Sequence, residues 1–294
     1  MHRTAKYLYI IGGCALAAER EPIKNIERIC IENVEKSREN SSPLVKIHAE
    51  HVGNLSIPRR SPACFLLKNQ QEILISGGCT EFSSKILEET LEIGASCSGF
   101  DWASKGPFYP IFGGFEAHSC LDDAQVLDQS QNWNAKKLGK KLMPKIKNST
   151  VLALENREFL MFGGWEDEQK TTKAIRKIKF NEDYTDYEVE FAGFLPYPVE
   201  GHSMVRIGSN VLLIGGFDGC FVQDSIIKYD LDTKKSEILP EKLSEKRENH
   251  VSAVLSDRFL VIAGGWNSRN SELARCQVNG KLLMARNRPA GVPI

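Results

Sequence analysis

Six times along the 294 residues, a short β-rich apolar run ends in a pair of glycines. The runs are Tyr7-Leu8-Tyr9-Ile10-Ile11, Ile73-Leu74-Ile75-Ser76, Tyr109-Pro110-Ile111-Phe112, Phe159-Leu160-Met161-Phe162, Val211-Leu212-Leu213-Ile214 and Phe259-Leu260-Val261-Ile262-Ala263. Their glycine pairs begin at Gly12, Gly77, Gly113, Gly163, Gly215 and Gly264, at intervals of 65, 36, 50, 52 and 49 residues. Apolar runs of this length, bounded by turn residues, read as strands buried on both faces. A glycine pair after each strand permits backbone angles closed to other residues and lets neighbouring chain approach closely. A small sheet repeated at this spacing cannot bury both faces alone, so it stacks on its neighbours. The pattern predicts an all-β chain that forms a single domain over residues 1–294.

The unit resembles the kelch repeat, whose period is about 50 residues. The best-matched copy runs from Gly201-His202-Ser203-Met204-Val205, through Gly215-Gly216-Phe217-Asp218-Gly219, to Ser225-Ile226-Ile227-Lys228-Tyr229-Asp230. Asp128 followed by Trp133 resembles the spacing that opens a kelch outer strand. Arg60 and Arg247, each 17 residues before a first glycine, resemble the arginine that leads into an innermost strand. The resemblance covers nearly the whole chain and implies a six-bladed kelch-type β-propeller with four strands per blade. There are departures. Ser236 stands where the outer-strand tryptophan belongs after Asp230, and the long first interval holds an insertion placed within Glu32–Gly53. Only 34 residues separate Gly78 from Gly113, so Cys97–Pro107 must supply an outer strand and the next inner strand, or one is lost.

The chain begins almost at a second strand, which leaves the first blade without its innermost one. The segment Arg286–Ile294 resembles Arg247–Leu255 and is expected to complete the first blade. The C-terminal segment would thereby close the ring and leave no long sheet edge exposed. The basic start, the apolar Tyr7–Ile11 and Ala15-Leu16-Ala17 imitate a signal peptide. Gly12-Gly13 belongs to the repeat, however, so a strand explains the same residues without a second assumption.

Charge and motifs narrow the function. The 38 basic and 38 acidic side chains cancel, which points away from nucleic acid and from anionic membranes. The densest basic stretch holds Lys136, Lys137, Lys140, Lys141, Lys145 and Lys147. It reads as a phosphate-binding strip or, more plainly, as a solvated loop between blades. The eight cysteines include no C-x-x-C pair, so zinc spacing is absent; free buried thiols in a reducing, cytoplasmic setting are expected. No G-x-S-x-G, H-E-x-x-H or phosphate-loop pattern occurs. The expectation is therefore no catalytic residue, no metal and no cofactor. His48 and His51 would share one face of a helix as metal ligands, or are two exposed side chains of the insertion. His202 and His250 occupy equivalent positions and are expected to satisfy polar groups at blade junctions.

In the kelch family, loops joining second to third strands line one end of the propeller, together with the lead-ins from blade to blade. The residues after the glycine pairs include Phe115, Trp165, Phe217 and Trp266. The lead-ins supply Arg60, Arg247, Asn249 and Arg286. Aromatic and arginine side chains dominate binding energy at protein interfaces, so these eight are the candidate partner-binding residues. Two plainer roles stand beside that one: the aromatics pack on adjacent blades, and the arginines brace loops. The resemblance implies a monomeric interaction module, not an enzyme, that binds a protein or peptide on one propeller end. The implied roles are substrate recognition for a cullin-type ubiquitin ligase and actin scaffolding. The ligase role usually comes with a BTB domain; repeat sequence here starts by Tyr7, so a partner or a longer product would have to provide it. The alternative is a propeller enzyme that processes a sugar or other small molecule at an axial site.

Overall fold

The computed structural model describes residues 6–15, 21–33, 45–66, 72–78, 88–92, 108–116, 119–142, 144–166, 170–255, 259–267, 271–272, 275–276, 280–281 and 290–293. Each glycine pair follows a strand in one of six main sheets among these residues. Four sheets have four strands. The fourth is Thr150–Ala153, Glu158–Phe162, Ala174–Phe180 and Tyr187–Phe194, in that order. The fifth is Ser203–Ile207, Asn210–Ile214, Ser225–Asp230 and Ser236–Lys242. The sixth is Val251–Leu255, Phe259–Ala263, Arg275–Cys276 and Gly280–Lys281. The second sheet, Ala63–Leu66, Glu72–Ser76 and Glu88–Glu92, shows three strands, as does the third, Phe108–Phe112, Asp123–Asp128 and Asn134–Lys141. Cys97–Pro107, on which the inner strand of the third blade depends, lies outside the described residues.

The first sheet carries the expected closure. Ala290–Pro293 pairs antiparallel with Tyr7–Ile11, matching Leu8 to Pro293, Tyr9 to Val292, Ile10 to Gly291 and Ile11 to Ala290. Asn25–Asn33 and Val45–Asn54 complete the four strands. A proline is tolerated here because this strand ends the sheet, where one amide need not enter a ladder. A Cβ on Gly291 would lie 2.7 Å from that of Val251. The last strand therefore presses close against the first strand of the sixth sheet.

Backbone proximity groups the chain into two compact units. One is Met1–Phe100, Ser203–Val205 and Leu243–Ile294; the other is Asp101–His202 and Arg206–Lys242. In the first unit the strand alternation of Tyr7–Ile11 divides its side chains between two cores. Leu8 and Ile10 pack with Val251, Ala253, Leu255 and Val261 of the sixth sheet. Tyr9 and Ile11 pack with Leu66, Ile73 and Ile75 of the second. Both faces are thus apolar, the pattern of a strand buried between sheets. In the second unit, Ala124, Val126 and Leu138 of the third sheet meet Phe159, Met161 and Phe180 of the fourth. Each Val, Leu, Ile, Met or Phe among them contributes about 1.5–3 kcal/mol when fully buried.

Outer strands begin with the same device in two sheets. Asp128 accepts from the Ser130 amide at 2.8 Å, and Trp133, at φ 61°, opens Asn134–Lys141 with its ring 5.5 Å from that of Tyr109. Asp230 accepts from the amides of Asp232 and Thr233 at 3.0 and 2.7 Å before Ser236 starts its strand. The insertion expected within Glu32–Gly53 falls in a long hairpin: Asn25–Asn33 and Val45–Asn54 have 9 and 10 residues. Two expectations need correction. His48 and His51 both lie on Val45–Asn54, and a two-residue period does not put positions three apart on one face. The basic stretch is largely the outer strand Asn134–Lys141 rather than a loop, and Lys137 forms an ion pair with buried Asp123. Cys14, Cys30, Cys64, Cys120 and Cys220 are free thiols; Cys220 is exposed, while burial pushes the Cys64 thiol up.

Candidate functional site

The two glycines of a pair do different work. At Gly163, φ is +55°, and an added Cβ would collide with the carbonyl oxygen of Val199 in the lead-in to the next blade. Gly12 meets the carbonyl of Arg59 in the same way, and Gly113 that of Ile146. The second glycine then donates its amide to that carbonyl: Gly13 to Arg59 at 3.0 Å, Gly114 to Ile146 at 2.9 Å and Gly164 to Val199 at 2.8 Å. No side chain fits between two blades joined this tightly. The glycine pair is a backbone staple that aims the residue after it.

Each of the four described lead-ins has one residue with a left-handed backbone: Ser61, Asn148, Gly201 and Asn249 have φ of 52°, 55°, 59° and 51°. The residue just before it is Arg60, Lys147, Glu200 and Glu248 in turn. In the last three, that residue pairs with the one following the blade's own glycines. Lys147 is matched to Trp165. Glu200 and Phe217 exchange both amide bonds, at 2.9 and 2.8 Å, as do Glu248 and Trp266 at 2.9 Å each. An aromatic residue and a charged residue are therefore set side by side by backbone bonds alone.

In the second unit this arrangement assembles a site. The Lys147 ammonium lies 4.1 Å from the centre of the Phe115 ring and 4.3 Å from that of Trp165. Phe115 is 48% exposed. Glu200, in the corresponding place one blade on, is buried; it accepts from Asn148 Nδ2 at 2.8 Å and from the Thr171 hydroxyl at 3.3 Å. Thr171 is matched across the hairpin to Trp165. Glu166, next to Trp165, is buried and accepts from Arg176 at 2.8 Å, tying the loop to the third strand of its blade. Gly219 lies against Thr171, and the loop that follows presents Phe221, 67% exposed. Asp218 holds that loop by accepting from the amides of Cys220 and Phe221, each at 2.7 Å, and from Gln223 Nε2 at 2.7 Å.

The eight candidates divide accordingly. Phe115 and Trp165 come together around Lys147 in the second unit, and Phe217 stands beside Glu200. In the first unit, Trp266 stands beside Glu248 between Arg247 and Asn249 in the lead-in. Arg247 is only 1% exposed and donates to the carbonyl of Gly264 at 2.9 Å, so its guanidinium braces the blade. The corresponding brace in the second blade is Arg59, fully buried and 3.1 Å from the Gly77 carbonyl, whereas Arg60 takes the place of Lys147. Asn249 is the left-handed residue of its turn. Arg286 lies outside the described residues. Sequence reasoning missed Lys147 and Phe221 as parts of the rim. An aromatic between a glycine pair and the next strand was the available signal for Phe221; for Lys147 there was none, because its two rings come from different blades.

The junction histidines are polar pairs. His202 Nε2 is 2.7 Å from the Thr150 hydroxyl, and His250 Nε2 is 2.7 Å from that of Ser203. Burial lowers the His202 pKa to about 3, so the ring is neutral. Among the described residues, no cluster of three His, Cys, Asp or Glu side chains is placed to hold a metal ion.

Comparison with known proteins bears on this geometry. A family model described as the KLHDC2/KLHL20/DRC7 Kelch-repeats domain matches residues 99–277. A solved structure described as "Structure of YjhT" matches with a TM-score of 0.58 at 13% sequence identity, covering 81% of this chain and 94% of that one. At that identity the likeness is one of fold. No curated protein matches the chain.

Proposed function

The chain belongs to the kelch-repeat family and folds as a kelch propeller, and from that premise we propose that it is a protein-interaction module rather than an enzyme. The binding surface is the loop rim of the second unit, which carries Phe115, Trp165 and Phe221 on backbone-pinned loops. The observation that carries this reading is the exposure of Phe115 and Phe221, at 48% and 67%, on loops whose geometry is already fixed. Rigid exposed aromatics lose little conformational freedom on binding, and they contribute strongly when a partner covers them. A few exposed aromatics on loops suit a short segment of another protein. That favours substrate recognition for a cullin-type ubiquitin ligase over actin scaffolding, which needs a broader face.

Peptide display on the intact chain tests the proposal. Selected peptides should lose at least about tenfold in affinity for Phe115→Ala/Phe221→Ala, a loss typical of removing interface anchors. Selection of no peptide, or unchanged affinity in a variant with an unchanged melting curve, would remove the rim from consideration. Capture of a cullin scaffold together with the bound protein, and no cosedimentation with actin filaments, would separate the two finer roles.

A further inference from the structure

We propose that Phe115 and Trp165 are the walls of an aromatic cation site whose resident occupant is the chain's own Lys147, and that an N-methylated ammonium group on a partner takes its place. The inference rests on the reading of this rim as the binding surface and names the chemistry recognised there.

The walls are fixed and the occupant is not. Phe115 is paired to Cys120 across a short hairpin, and the preceding Gly114 is bonded to the Ile146 carbonyl at 2.9 Å. Trp165 is matched to Lys147 on one side and Thr171 on the other. Both rings thus stand on backbone ladders. The ammonium between them sits at the end of a flexible four-carbon stem. Among the described residues no carboxylate forms an ion pair with Lys147, so the two ring faces are its partners. Glu200 is directed elsewhere: it accepts from Asn148 and Thr171 and forms no ion pair with Lys147 among the described residues. Exposure of Phe115 leaves the site open to solvent on one side.

The chemistry of the occupant decides what can displace it. A primary ammonium is compact and strongly hydrated, and it gives up water to lie on a ring. A quaternary ammonium is weakly hydrated, offers no hydrogen-bond donors and is well suited to contact between aromatic faces. A partner's unmodified lysine gains nothing over Lys147, whose tether gives it an effective concentration of millimolar order. A trimethylated ammonium gains more from the rings than Lys147 does, and this difference supplies the selectivity.

Binding of tetramethylammonium and of N-acetyl-trimethyllysine amide to the full chain, followed by tryptophan fluorescence, tests the proposal. Lys147→Gln vacates the site and should bind both probes about tenfold more tightly than the intact chain, since one tethered competitor is gone. Phe115→Ala in the Lys147→Gln background should abolish binding, and N-acetyl-lysine amide should bind neither protein. Trp165→Phe keeps a ring wall and assigns the signal. Melting curves within about 2 °C of each other show that the variants are folded. Equal affinity in the intact chain and Lys147→Gln, no binding by Lys147→Gln, or binding that survives Phe115→Ala would overturn the proposal. Failure of peptide selection alongside tetramethylammonium binding would reject the broader rim and keep the cation site; the reverse result would reject the cation site alone.

Discussion

At the lead-in to the sixth blade, a buried guanidinium lies beside the glycine pair; at the lead-ins to the fourth and fifth, Ile146 and Val199 occupy the same place. The backbone is alike in all three. A Cβ on Gly164 would lie 2.9 Å from Ile146 Cδ1, and one on Gly216 would lie 2.6 Å from Val199 Cγ2, so the aliphatic side chains fill the space up to the glycines. Arg247 fills it too and also gives the Gly264 carbonyl a donor, with Glu245 3.9 Å from the guanidinium as a distant counter-charge. The comparison separates what the repeat requires from what it tolerates. It requires the glycines and the carbonyl they receive. It tolerates either a charge or an aliphatic group in the slot, provided the slot is full.

The largest expected effect comes from emptying it. Arg247→Ala should cost about 3–5 kcal/mol, because it leaves a cavity and removes the donor from a buried carbonyl. Arg247→Ile, which copies the fourth blade, should recover most of that loss, since buried charges are often replaced by packed apolar groups at little cost. Urea unfolding checks both, and equal losses for the two variants would break the claim that filling matters more than charge. The staple comes next. Gly163→Ala should cost about 3 kcal/mol from its left-handed backbone and its collision with Val199. Gly208→Ala, at φ +61° with nothing within 4 Å of the new Cβ, isolates the backbone cost alone. It should cost about 1–2 kcal/mol by the same measurement.

An effect of about the size of the Gly208→Ala loss sharpens the comparison through pH. The folded-state pKa of His202 lies below its unfolded value of 6.5, so the unfolded chain binds the extra proton as pH falls. Stability from this residue is complete above 6.5 and declines below it, by about 2 kcal/mol at pH 5. Stability measured at pH 7 and pH 5 for the intact chain and for His202→Gln isolates the term as the difference between the two slopes. Parallel slopes would show that His202 titrates normally.

The blades were legible in the sequence because their glycines answer to a steric demand that no other residue meets. Gly12, Gly113 and Gly163 each face a neighbouring carbonyl. The closing strand was legible for a related reason, since an unpaired Tyr7–Ile11 needed a partner and Ala290–Pro293 supplied it. The rim was harder to read. Arg59 and Arg60 exchanged roles because the distance to a glycine pair does not say which of two adjacent arginines turns inward; the left-handed Ser61 settles that in three dimensions. Lys147 was visible only as part of a basic stretch. Its meaning comes from rings on two blades, and composition along one strand carries no trace of them.

The pairing of Tyr7–Ile11 with Ala290–Pro293 also fixes an order of events during synthesis. A ribosome adds about 5–20 residues per second, so the early strand waits tens of seconds for a partner made about 280 residues later. Through that interval one edge of the first sheet is without its last strand, while later sheets can already form. The nascent chain therefore carries an open, apolar edge until residues 290–293 have been made, and that edge is where holding chaperones would act.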